Sequence, residues 1–157
     1  MDDIDRRILT VLQEDATLPV SELAKRVGLS TTPCWKRVQK LREDGVITKQ
    51  VVLCDPAKMD LKLTVFVEIR TNRHNDAWLR KFAKIVRELP EIVDVYRMSG
   101  DVDYLLRVVV RDIEGYDAVY RKLIRAVEVF DVSSRFVMEK IKYSTALPLL
   151  GGGDDPA

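Results

Sequence analysis

Through the first fifty residues, apolar positions recur at helical spacing. Ile4, Ile8, Val11 and Leu12 share one face of a helix whose start Asp2 or Asp3 can cap. Thr17-Leu18-Pro19 breaks that pattern, and Pro19 suits an early helical position. Leu23, Ala24 and Val27 predict a second, shorter helix, closed by Gly28 where a left-handed residue is needed. Cys34, Val38 and Leu41 fall at i, i+4 and i+7 and predict a third. Ser30 or Thr32 can cap it, Pro33 falls in its first turn, and Gly45 ends it. Three short helices with a tight glycine turn between the second and third fit a helix-turn-helix over residues 1–50. The stretch 46–53, VITKQVVL, is β-branched and predicts a strand, which makes the unit a winged variant. Lys49 can touch a phosphate from that strand.

Cys54-Asp55-Pro56 interrupts the strand, since proline cannot continue a central one. A linker is therefore expected over 51–61. Should 46–53 pair with its copy from a second chain, it ties a dimer together as well.

From Leu61 the texture changes. Leu63, Val65, Val67 and Ile69 alternate along a predicted strand over 63–70. Asn75 or Asp76 can cap a helix running to Leu89, with Leu79, Phe82, Val86 and Leu89 inward, and Pro90 stops it. A strand over 92–98, a turn at Ser99-Gly100-Asp101 and a strand over 104–110 follow. Asp112 caps a further helix carrying Tyr116, Val119, Tyr120, Leu123, Ile124 and Val127, and a last strand is expected over 135–143. The order βαββαβ predicts a ferredoxin-like domain over 62–146, and an α+β chain as a whole. Two helices cover one face of its sheet. The other carries Phe66 and half of the apolar residues of 104–110, a large exposed patch for a monomer. That face calls for a second copy across a two-fold axis.

Composition sets limits. The chain has 157 residues, of which 46% are apolar, enough for one ordinary domain or two small ones. Charged residues make up 32% and nearly cancel to +1, so nucleic-acid binding must rest on a local patch multiplied by oligomerisation. Cys34 and Cys54 have no metal-ligand spacing, and with His74 as the single histidine a structural zinc site is not expected. No cofactor is implied. The acidic Met1-Asp2-Asp3 start resembles no secretory leader, and no apolar run is long enough to span a bilayer. A cytoplasmic protein with no membrane partner is the expectation. His74 reads as plain surface. Residues 147–157, ending GGGDDPA, read as a flexible tail in which Asp154 and Asp155 are solvated.

The local patch is the stretch 29–41, LSTTPCWKRVQKL. Lys36, Arg37, Lys40 and Arg42 are cations with no acid between Thr31 and Arg42. A helix with a buried seam, hydroxyls at its start and cations along it suits a DNA major groove. Candidate DNA contacts are Ser30, Thr31, Thr32, Trp35, Lys36, Arg37, Gln39 and Lys40. Gln39 can pair bidentately with adenine and Lys36 with guanine. Trp35 has two readings, packing against the first helix or contact in the groove. Cys34 reads as buried wall, with no visible low-pKa neighbourhood for redox work.

These pieces together resemble the Lrp/AsnC, or feast/famine, family. The residues that carry the resemblance are IDRRILTVLQED, ELAKRVGLSTTPCWKRVQKL, the GVI after it, SGDVDYLLRVVV and MEKIKYSTALPL, which between them span nearly the whole chain. The resemblance implies a winged helix-turn-helix joined to a sensing domain, and dimers assembled into a ring-like octamer. It also implies an amino acid effector bound between subunits, and control of amino acid metabolism. Within the family, TTPCWKR with IKYSTALPL looks most like the DecR-type branch, which implies L-cysteine as effector. The hairpin Ser99, Gly100, Asp101, Asp103 and Tyr104 is then the candidate effector loop, and 135–138 can add side chains. A glycine lets backbone amides approach a carboxylate closely, and an aspartate accepts an ammonium in a charge-assisted bond. Glycine and aspartate are equally the ordinary residues of a β-turn.

Two other functions compete. One is an architectural DNA-binding protein that needs no effector. The other is an enzyme, against which stand the lone histidine and the lack of a Ser-His-Asp set or a phosphate-cradling glycine loop.

Overall fold

The computed structural model describes residues 1–73 and 75–149. The surface reading of His74 and the readings of Gly151 to Ala157 lie outside the described residues. The chain divides into two compact units. The first contains Met1–Leu53 together with the described segment that begins at Ile141, and the second is Cys54–Lys140.

In the first unit, α1 (Asp3–Glu14), α2 (Val20–Val27) and α3 (Thr31–Glu43) obey the predicted pattern. Asp2 caps α1 in a reciprocal capping box with Asp5. Gly28 closes α2 at φ 73°, a conformation that L side chains rarely adopt, which is why a glycine serves there. Ile8, Leu23, Val27, Cys34, Val38 and Leu41 form the core between the three helices. Leu41 also anchors the chain just beyond α3, because its carbonyl accepts the Ile47 N–H at 3.0 Å and Ile47 packs on the same core.

The strand expected over 46–53 does not form. Its β-branched residues favour an extended strand only where a partner pairs with the backbone, and among the described residues no strand pairs with it. Val52 is left 88% exposed. The helix-turn-helix thus stands without a hydrogen-bonded wing in the single chain. Residues 141–149 pack with this same unit. Leu147, expected in a tail, is instead bonded to Gln13 through both backbone polar atoms, and Leu149 packs on the helical core.

The second unit has the order β1 (Leu63–Arg70), α4 (Asp76–Glu88), β2 (Ile92–Arg97), β3 (Tyr104–Val110), α5 (Ile113–Ala126), β4 (Asp131–Phe136). The sheet is antiparallel with order β2-β3-β1-β4, the ferredoxin-like arrangement. Val65, Val67, Ile69, Leu106 and Val108 point to the helices and pack with Phe82, Tyr116, Val119 and Leu123. Asn75 caps α4 and Asp112 caps α5 through side-chain bonds, as the sequence implies.

Three expectations are corrected. The last strand runs over Asp131–Phe136, not 135–143, because its ladder pairs Arg70 with Asp131 and ends at Val65 with Phe136. On α4, Trp78 is buried and Leu79 is exposed. The indole explains this: its Nε1–H donates to the Glu128 carbonyl at 2.6 Å, so the larger ring takes the inward place. The outer face of the sheet is mixed, not apolar. Phe66 and Leu105 lie among Asp94, Arg107, Glu68 and Arg135, joined across strands by Arg107–Asp94 at 2.5 Å and Arg135–Glu68 at 2.8 Å. Arg135 holds the Glu68 carboxyl below its ordinary pKa. No helix among the described residues is long and apolar enough to cross a membrane.

Candidate nucleic-acid interface and effector loop

The seam Cys34–Val38–Leu41 turns one side of α3 into the core, so helical spacing turns the rest outward. Ser30, Thr31, Thr32, Trp35, Lys36 and Lys40 are all exposed, and Gln39 is partly buried. Seven of the eight candidate residues therefore share a solvent-facing surface that begins at the helix N-terminus. Ser30 occupies the N-cap position, yet its hydroxyl makes no capping bond, which leaves it and the first-turn amides available to an outside acceptor. Trp35 is 50% exposed, so its indole lies on the solvent-facing surface and does not fill the core. Burial pushes the Cys34 thiol above its ordinary pKa, which makes the thiolate scarce and the residue inert wall.

Arg37, the eighth candidate, behaves differently. Its Nη1 donates to Asp2 Oδ2 at 2.7 Å and to Asp5 Oδ1 at 2.8 Å. The guanidinium is thus occupied by two carboxylates at the start of α1. The Asp5 backbone N–H, and after it Arg37, hold the Asp2 carboxyl at a pKa of about 2. Sequence reading missed this contact because thirty-two residues and two turns separate Arg37 from Asp5. A shallow recess of about 550 Å³ lies beside the pair, lined by Met1, Asp2, Asp5, Lys36, Arg37 and Lys40.

The hairpin residues of the second unit separate into two groups. Ser99, Gly100 and Asp101 are exposed at the tip, with Gly100 at φ 100°. Asp103 and Tyr104 are tied into the fold. The Asp103 carboxylate accepts the Thr71 N–H at 2.7 Å, and its own N–H donates to the Ile69 carbonyl at 3.0 Å. Tyr104 is 8% exposed and packs its ring 4.7 Å from Phe82 and 5.5 Å from Trp78. The strand pleat turns Tyr104 toward the helices. Away from the hairpin, a cleft of about 400 Å³ opens between the start of α4 and the end of α5, lined among others by Asn75, Trp78, Lys81, Arg125 and Glu128. Among the described residues, no group of three or more His, Cys, Asp or Glu side chains is placed to hold a metal ion.

Comparison with known proteins agrees with this architecture. Residues 1–42 match the AsnC-type helix-turn-helix domain, and residues 64–147 match the Lrp/AsnC ligand binding domain. The chain is 47% identical to the DNA-binding transcriptional activator DecR of Escherichia coli, over 95% of this chain and 99% of that one. The fold superposes on the crystal structure of an AsnC family transcriptional regulator from Agrobacterium tumefaciens with a TM-score of 0.91. That pair shares 61% identity and covers 94% of this chain and 97% of the other. A transcriptional regulator of Neisseria meningitidis, solved as a complex with L-Met, also gives a TM-score of 0.91, at 34% identity over 96% and 97% of the two chains.

Proposed function

The chain belongs to the Lrp/AsnC family of transcriptional regulators, which are not enzymes, and from that premise we propose a sequence-specific DNA reader controlled by an amino acid. The observation that carries this reading is the outward surface of α3, where hydroxyls, an indole and two lysines are exposed beside the partly buried Gln39 amide, on a helix anchored by a buried seam. Lys36 and Lys40 hold backbone phosphates, while Thr31, Thr32, Trp35 and Gln39 face base edges. Ser30 and the first-turn amides bind a phosphate at the helix N-terminus.

The effector is a small amino acid. L-Cysteine is the first candidate, on the likeness to DecR. The Neisseria relative bound to L-Met supports the class of ligand. The exposed tip Ser99, Gly100 and Asp101 supplies the effector contacts, with Asp103 fixing the loop through Thr71. One chain offers this tip to solvent without walls, so the pocket closes only when a neighbouring subunit covers it. Assembly into dimers, and of dimers into an octamer, is part of the proposal. It is supported by Val52, Met138 and Ile141, which are 88%, 95% and 91% exposed in the single chain. The unpaired stretch 46–53 then pairs with its copy. Several weak basic surfaces on one particle add through effective concentration, which suits a net charge of +1.

The test is a thermal-shift panel of the twenty amino acids, followed by DNA titration with and without each hit. A ligand that binds the native form raises its melting temperature. A shift with one or a few amino acids, together with altered DNA affinity or particle size, is the expected result. No response to any amino acid, with DNA binding intact, favours an architectural protein instead.

A further inference from the structure

The ion pairs of Arg37 have an unusual target. Asp2 Oδ1 accepts the Asp5 N–H at 2.9 Å, and Asp5 Oδ2 accepts the Asp2 N–H at 3.0 Å, which is the capping box of α1. The remaining oxygen of each carboxylate goes to Arg37, at 2.7 and 2.8 Å. Each acid therefore bonds the backbone of α1 with one oxygen and α3 with the other. Both N–H···O⁻ bonds leave Nη1, whose two N–H directions lie in the guanidinium plane, so they restrain the angle between the helices as well as their separation. The Arg37 side chain is 33% exposed and that of Asp5 is 17% exposed, so the Asp5 leg is partly shielded from solvent, while the Asp2 leg is exposed.

The same arrangement opposes a phosphate contact at Arg37. Two carboxylates next to the guanidinium repel a third anion, and their removal would leave a charge without partners. Lys36 and Lys40 lie one turn apart on the same recess and carry the positive charge that faces outward.

We infer that Arg37 is a positioning residue, one that sets the presentation of α3 by clamping it to the α1 capping box, and that Lys36 and Lys40 hold the phosphates. This rests on α3 being the DNA-reading helix. The clamp fixes how far the N-terminal turn of α3 projects, and base contacts are sensitive to that placement. Phosphate attraction is less sensitive, because charge acts over longer distances.

The test uses the full chain and a duplex that the wild-type protein enriches from a random-sequence pool. Affinity is measured across a salt series for that duplex and for a scrambled one. The variants are R37A, R37K, the double D2N/D5N, and K36A as a phosphate-contact control. Asparagine caps a helix about as well as aspartate, so D2N/D5N keeps α1 while removing the charges that hold Arg37, and thermal melts check that every variant is folded. The expected result is that R37A and D2N/D5N lose fivefold or more, by order of magnitude, for the enriched duplex and little for the scrambled one, the scale of a modest coupling between sites. Their salt slopes match the wild type, R37K does not restore the affinity, and K36A shows a slope shallower by about 0.9. The inference is overturned if R37A has the shallow slope of K36A and R37K restores it. It is equally overturned if D2N/D5N binds DNA more tightly, as a freed arginine reaching a phosphate would. Failure of the wild type to enrich any duplex instead sinks the DNA-reading premise, and the inference with it.

Discussion

Gln13 holds Leu147 by both of its backbone polar atoms. The Gln13 amide nitrogen donates to the Leu147 carbonyl at 3.2 Å, and its amide oxygen accepts the Leu147 N–H at 2.7 Å. A side chain here does what a strand neighbour does elsewhere, satisfying a donor and an acceptor of an extended segment that has no ladder. Gln13→Leu keeps the size and removes both bonds. It is expected to destabilise the helical unit by about 1–2 kcal/mol, since each exposed bond nets about 0.5–1.5 kcal/mol. Urea unfolding of the variant and the wild type measures this. An unchanged midpoint would mean that the two Gln13 bonds contribute nothing to that unit.

Tyr104 separates packing from ligand contact. Its ring completes a cluster with Trp78 and Phe82, whose own rings stack at 5.0 Å. Tyr104→Ala is expected to cost about 3–5 kcal/mol, as large buried aromatics do when truncated. Tyr104→Phe keeps the packing and should retain both stability and the amino acid response. A response lost in Tyr104→Phe, with stability intact, would return the hydroxyl to the effector site.

Asp2 gives the first unit an acid-sensitive contact. Its carboxyl is lowered from 3.8 to about 2 by the Asp5 N–H first and Arg37 second. A lowered carboxylate stabilises the fold above its unfolded pKa. That contribution is whole above 3.8 and disappears as pH falls toward 2. In Asp2→Asn the cap remains but the titration is gone, so the acid limb of stability against pH should be shallower in that window. Thermal melts in acid buffers check it. Parallel limbs for the variant and the wild type would show that another group dominates.

Much of the architecture was legible in the chain because it rests on local rules. Period and caps placed α1 to α5, and Gly28 and Asp112 did what their chemistry demands. The stretch 46–53 misled because β-branched composition describes a strand's suitability and says nothing of whether a partner is present. Leu79 was placed inward by spacing, but Trp78 takes the inward place because its indole finds a carbonyl acceptor at Glu128, fifty residues away. The solvent-facing surface of α3 was visible in the sequence, as polar residues opposite a seam. The occupation of Arg37 was not, because it depends on the packing of α1 against α3. The hairpin was legible only as a turn. Which hairpin residues turn inward is set by register with β1.

Whether α3 reads base edges from its exposed face is decided by the affinity of Gln39→Ala for the enriched duplex and its single base-pair variants. A bidentate side-chain contact with a base is worth about 1–3 kcal/mol of discrimination. A loss of about 5- to 150-fold is expected on the enriched duplex, with discrimination relaxed at one base-pair position and preserved at the others. Full discrimination at every position in Gln39→Ala, repeated for Thr32→Ala and Trp35→Ala, would contradict a base-reading role for this helix.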